Sequence, residues 1–203
     1  DKIKKEKINA EIFVGGSYAK KTLIKKNNYD IDIFLRFEKE YRNKDISKIT
    51  KKLLKGIKNV SIIHGSRDYF RIKISPNIIF ELIPVIKVKN PEDAENITDL
   101  SYFHVQYIKR KAKTGKILND IKLAKVFCYA NNCYGAESYI KGFSGYSLEL
   151  LICYYGSFLK FVKAVSKMEK KEIIDIEKKY KNKNNVLLDL NTAKLNSPII
   201  LID

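Results

Sequence analysis

Tyr29-Asp30-Ile31-Asp32-Ile33-Phe34-Leu35 alternates acidic and apolar side chains through a β-branched run, the pattern of a half-buried strand. With a side-chain period of two, Asp30 and Asp32 share one face while Ile31, Ile33, Leu35 and Phe37 share the other. Burial of the apolar face fixes the register, so the two carboxylates meet on the opposite surface. Like charges that close repel unless a cation offsets them, and Mg²⁺ prefers hard oxygen ligands of this kind. An edge strand with its acids in water is the competing reading of the heptapeptide taken alone.

The residues upstream favour the cation. Ile12-Phe13-Val14 reads as a short strand that runs straight into Gly15-Gly16-Ser17. Glycines there permit positive φ and close backbone approach, and Ser17 suits the N-cap of a helical segment over residues 18–22. Free N–H groups at such a turn bind anions. A phosphate-type turn followed by paired carboxylates is what metal-assisted nucleotidyl transfer needs.

Downstream, Ile46, Ile49, Leu53 and Ile57 follow helical spacing and predict a helix packed behind the sheet. Residues 60–64, 69–74 and 78–88 read as further strands, with turns at 27–28, 65–66 and 76–77. Glu81 stands among Phe80, Leu82 and Ile83, and a lone carboxylate in an apolar strand is costly unless paired or metal-bound. As a third ligand it completes the set that two-metal chemistry requires; an edge-strand Glu, or a partner for a Lys, is the other reading.

After Pro91 the pattern turns helical. Residues 117–131 and 146–165 are long and apolar enough for helices, and a boundary falls near residue 100, giving domains 1–100 and 101–203. Lys109, Arg110, Lys111, Lys113 and Lys116 form one basic run, and Lys167, Lys170, Lys171, Lys178, Lys179, Lys181 and Lys183 another. Forty Lys plus Arg against 23 Asp plus Glu give a formal net charge of +17, spread along the whole chain. A polyanionic partner follows from counterion release, although an AT-rich genome that favours Lys, Asn and Ile produces the same bias.

Cys128, Cys133 and Cys153 sit among apolar residues without paired zinc spacing, so reduced core thiols are expected. No apolar run reaches the roughly 20 residues of a membrane span, and a cytoplasmic protein without a membrane partner is expected. The chain lacks an initiator Met and ends at Leu201-Ile202-Asp203, directly after an apolar strand-like run, which reads as a piece of something longer.

Several stretches together resemble one family. They are Gly15-Gly16-Ser17-Tyr18-Ala19-Lys20, Tyr29-Asp30-Ile31-Asp32-Ile33-Phe34, Glu81-Leu82-Ile83-Pro84, Phe103-His104, Tyr134-Gly135-Ala136-Glu137, Lys141-Gly142-Phe143-Ser144-Gly145-Tyr146, Glu149-Leu150-Leu151 and Tyr155-Gly156-Ser157-Phe158. They resemble the archaeal-type, class I CCA-adding enzymes, tRNA nucleotidyltransferases of the polymerase-beta superfamily. The resemblance implies an α+β fold, with a small mixed sheet backed by helices followed by a mainly helical domain. It also implies transfer of CMP and AMP from CTP and ATP to the 3′ end of tRNA or a tRNA-like RNA, with Mg²⁺. By motif, Asp30, Asp32 and Glu81 match the catalytic metal ligands; Gly16, Ser17, Lys20, His104, Lys125 and Tyr134 match nucleotide contacts. Glu81 replaces the usual Asp, Lys20 the usual Arg and Ser101 a usual Thr. The family continues past this chain's end into an Arg-bearing segment that helps select the base and into tail domains that grip tRNA. Another template-independent RNA adenylyltransferase and a catalytically silent RNA-binding module are the alternatives. Oligomeric state is not legible.

Overall fold

The computed structural model describes residues 2–137, 139–190 and 196–203, and it divides into two compact units, Asp1–Lys113 and Thr114–Asp203. The first opens with a single helical turn, α1 (Lys2–Lys5), and builds a five-stranded sheet from β1 (Ala10–Val14), β2 (Tyr29–Phe37), β3 (Val60–Ile63), β4 (Tyr69–Ser75) and β5 (Ile78–Ile86). The strand order is β1-β2-β5-β4-β3. Only the β2–β5 pairing is parallel, so the sheet is mixed. The parallel pair sits at the centre, where both neighbours shield its hydrogen bonds.

Alternation decides which face is covered. Leu35, Phe37 and Ile86 point to one side and form a core with Ile46 and Leu53 of the helix α3 (Ile46–Leu53). Asp45 caps α3, its carboxylate accepting from the Lys48 N–H. The predicted helix ran on to Ile57, but α3 stops at Leu53 and Ile57 is 44% exposed. Gly56 at φ +86° turns the chain away there, a conformation open to glycine without strain.

The unit closes with α4 (Ser101–Lys111). Tyr102 stacks edge-on against Phe13 with centroids 5.0 Å apart and carries the Arg36 guanidinium 4.1 Å over its ring. Those contacts pin α4 to the sheet face that bears the acids, since Arg36 lies on the even-numbered side of β2. Lys109, Arg110 and Lys111 of the first basic run occupy the last turn of α4, where cations offset the helix dipole.

The second unit holds α5 (Gly115–Ala130), α6 (Gly145–Tyr155), α7 (Phe158–Val165), β6 (Glu172–Asp175), α8 (Lys183–Asp189) and β7 (Ile199–Ile202). One helix was expected over residues 146–165; two are found. Gly156 at φ +78° ends α6 in the left-handed conformation, and the Ser157 hydroxyl then caps α7 by accepting from the Lys160 N–H. β6 and β7 pair in parallel as a two-stranded sheet. Of the second basic run, the side chain of Lys183 lies outside the described residues. All three cysteines are free, and burial and the neighbouring Cys133 push the Cys128 thiol up to about 12. Among the described residues no helix is long and apolar enough to cross a membrane.

Candidate nucleotidyl-transfer site

The sheet register places the acids together. Asp32 on β2 pairs across the parallel ladder with Glu81 on β5, and Glu81 pairs across the antiparallel ladder with Arg71 on β4. Paired residues point to the same face, so Asp32, Glu81 and Arg71 stand side by side, with Asp30 two residues along β2. Phe70 and Leu82, one residue off, pair on the opposite face.

Over this face folds the glycine turn. The Gly15 N–H donates to the Asp32 carbonyl at 2.9 Å. Gly16 has φ +58°, and a Cβ there would fall 1.6 Å from Asp32 Oδ2. No other residue fits without moving that carboxylate. The helix that follows, α2 (Gly16–Ala19), is a single turn. Ser17 was expected as its N-cap; Gly15 holds that position instead, with no side-chain cap, and the Ser17 carbonyl accepts from the Thr22 N–H at 2.9 Å. The Ser17 hydroxyl is therefore not committed to capping.

Charge on this face is unbalanced. Asp32 is pushed up to about 6, first by burial and then by Glu81, with Asp30 adding to the effect and the nearly buried Lys20 opposing it. Arg71 partly offsets the acids: its Nε donates to Glu81 Oε1 at 2.7 Å and its Nη2 lies 3.5 Å from Asp30 Oδ1. That bond to Glu81 raises the Arg71 pKa. Tyr69, on the same strand, is raised by burial and then by Glu81.

Three hard oxygen donors with excess negative charge fit a divalent cation, and neither thiol nor imidazole stands among them. They are not closed into a ligand cluster as they stand: among the described residues no three His, Cys, Asp or Glu side chains are gathered as a metal site. Arg71 lies where the acids converge. Its side of the register is invisible without the β4–β5 pairing, and the one hint in the sequence is a basic residue on a strand that alternates like its neighbour.

The other expected residues lie apart. His104 is half-buried on α4, two residues beyond Tyr102. Lys125 and Tyr134 belong to the second unit. Lys125, expected to meet a phosphate, is only 1% exposed, and its ammonium donates to Glu149 Oε1 at 2.6 Å. A Cβ on Gly145 would lie 2.7 Å from the Tyr134 hydroxyl and 3.7 Å from Lys125 Nζ, so all three gather around the start of α6. In this geometry the Lys125 ammonium is buried beside Glu149. Glu149 was legible only as part of a motif.

A mixed sheet that presents Asp-x-Asp beside a third acid, under a glycine turn, defines a nucleotidyltransferase. The chain belongs to that family: residues 1–119 match the nucleotidyltransferase domain, and residues 119–203 match the second domain of tRNA nucleotidyltransferases. It is 43% identical over 195 residues to the CCA-adding enzyme of Nanoarchaeum equitans, covering 95% of this chain and 48% of that protein. It is 31% identical to the CCA-adding enzyme of Archaeoglobus fulgidus, over 85% of this chain and 39% of that protein. The chain thus spans about half the length, or less, of the curated relatives it matches. Among solved structures, Escherichia coli MS115-1 CdnC with ATP superposes with a TM-score of 0.58 at 16% identity, over 88% of this chain and 65% of that one. The non-canonical poly(A) polymerase complex GLD-2–GLD-3 gives 0.56 at 14%, over 75% and 48%. These two share the fold.

Proposed function

We propose that the chain is the catalytic portion of an enzyme that adds CCA to the 3′ end of tRNA or a tRNA-like RNA in the cytoplasm. CMP and AMP pass from CTP and ATP to an RNA 3′-hydroxyl, pyrophosphate leaves, and no nucleic-acid template is used. The observation that carries this reading is the pair of consecutive family matches, which run through the acidic sheet face and on through the second unit.

In this reading Asp30, Asp32 and Glu81 hold Mg²⁺. When bound, the metal supplies charge neutralisation at the phosphates and acidifies the attacking hydroxyl. The remaining work belongs to the chain. Gly15 and Gly16 bring backbone close above Asp32, because side chains there would strike Phe34 and Asp32. Ser17 offers its hydroxyl and Lys20 its charge to the triphosphate. His104 contacts phosphate or ribose, and Tyr134, held at Gly145 with Lys125 behind it, packs against sugar or base. The positive surplus of the chain draws the RNA.

Incubation of the purified chain with Mg²⁺, labelled CTP and ATP, and a tRNA lacking its 3′ CCA tests the proposal. Ordered addition of C, C and A that then stops is the expected result. Addition of A alone, or unordered tailing, overturns CCA addition in favour of a general adenylyltransferase; no extension of any acceptor by protein that binds the cation overturns catalysis by this portion.

A further inference from the structure

We propose that Arg71 competes with the divalent cation for Glu81, so that cation binding requires the guanidinium to let go of the acidic cluster. The inference rests on the reading of Asp30, Asp32 and Glu81 as a cation site, and it adds a residue that opposes loading of that site.

Position is the first argument. Arg71 starts on β4, bonds Glu81 on β5 at 2.7 Å, and reaches past that strand to Asp30 on β2 at 3.5 Å. A side chain that spans two strands in this way lies across the mouth of the cluster. Glu81 is the less accessible acid, with its side chain 15% exposed against 39% for Asp30 and for Arg71. A cation shared with Asp32 would therefore have to take up a carboxylate that Arg71 already holds through one of its two oxygens.

Electrostatics supplies the second. A guanidinium and a divalent cation a few ångströms apart repel, and in a partly desolvated site the repulsion is felt strongly. Both cannot sit on Glu81 at full strength. Arg71 is half-exposed on a long side chain, so it can swing into solvent at modest cost, whereas Glu81 is fixed by its strand. The competing role is a strut: Arg71 holds Glu81 in place for the cation. The two roles predict opposite signs.

Mn²⁺ binding to the chain without nucleotide or RNA, followed by the electron paramagnetic resonance signal of free Mn²⁺, separates them. Arg71→Gln is expected to bind Mn²⁺ on the order of tenfold more tightly than the unaltered chain, the worth of one released charge-assisted hydrogen bond. Arg71→Lys, which keeps a charge but loses the fork, is expected to fall between and remains readable if Arg71→Gln does not fold. Equal or weaker binding by these variants overturns the competition and makes Arg71 a strut. Asp32→Asn serves as the control on the underlying reading: it should weaken Mn²⁺ binding, and if it does not, the cation binds elsewhere and the site assignment itself falls.

Discussion

Each unit sets a basic side chain against a carboxylate, in opposite surroundings. On the sheet face Arg71 spans Glu81 and Asp30 with 39% of its side chain in solvent; in the second unit Lys125 and Glu149 meet at 2.6 Å with 2% and 0% exposed. A pair whose guanidinium stands partly in solvent gives up its bond more cheaply than a sealed one, which cannot lose either member without stranding a charge. On the proposed reading the first admits a cation or a substrate, while the second joins α5 to α6. The lesson is that a lysine matched to a nucleotide contact by motif can lie inside the fold.

The largest effect should come from the open cluster. Asp32→Ala is expected to cut nucleotidyl transfer by about 10³-fold or more, because one lost ligand removes charge neutralisation at the reacting phosphate. Folding should not suffer, since the substitution relieves repulsion with Glu81 and Asp30. Product length on gels and a urea midpoint check the two halves; near-normal turnover would remove Asp32 from the chemistry.

The sealed pair should answer in stability instead. Lys125→Met leaves Glu149 buried without its ammonium and is expected to cost about 3–5 kcal/mol, with most of it recovered in Lys125→Met/Glu149→Leu. Urea unfolding measures both. A cost below about 1 kcal/mol for the single variant would mean that the pair is open in solution, and would return Lys125 to direct phosphate contact.

Next comes pH. The Asp32 carboxyl lies near 6 in the folded protein against an ordinary 3.8. Between these values the folded state binds more protons than the unfolded one, so stability falls as pH rises. The contribution is fully present below about pH 4 and lost as pH passes 6, amounting to about 3 kcal/mol. It should be seen in chelator as the difference between the unaltered chain and Asp32→Asn, whose own profile lacks it. Identical profiles would show that the Asp32 carboxyl is neither desolvated nor crowded by its neighbours.

What the sequence showed of this contrast follows from the range of each interaction. The period of two along Tyr29–Phe37 reveals that Asp30 and Asp32 share a face, because that depends on one strand alone. Glu81 was legible as a carboxylate out of place among apolar neighbours. Arg71 at Glu81 was not, since it depends on how β4 and β5 register, 10 residues apart. Lys125 and Glu149 are 24 residues apart on separate helices, and nothing local says that they meet. The break at Gly156-Ser157 was in plain view as a C-cap glycine followed by an N-cap serine, but the apolar run on both sides hid it. β6 escaped for the reverse reason: Glu172–Asp175 is four residues among lysines, and its strand character comes from pairing with β7.

The smallest change tests the contrast most directly, because it can be made identically in both places. Glu81→Asp and Glu149→Asp each remove one methylene and keep the charge. At Glu81 the shortened carboxylate draws back from Arg71 Nε, but the guanidinium can follow or turn to water. Asp and Glu both bind Mg²⁺ through oxygen, so turnover should stay within about tenfold and stability within about 0.5 kcal/mol. At Glu149 the same shortening opens a gap in a 2.6 Å pair that water cannot reach. Neither partner can relax outward, and a cost of about 2 kcal/mol is expected for the lengthened bond and the small cavity together. Urea midpoints for the two variants give the comparison. A Glu81→Asp loss as large as that of Glu149→Asp would mean that the sheet-face cluster is as rigid as the buried pair, and the idea that it can open for a cation would go with it.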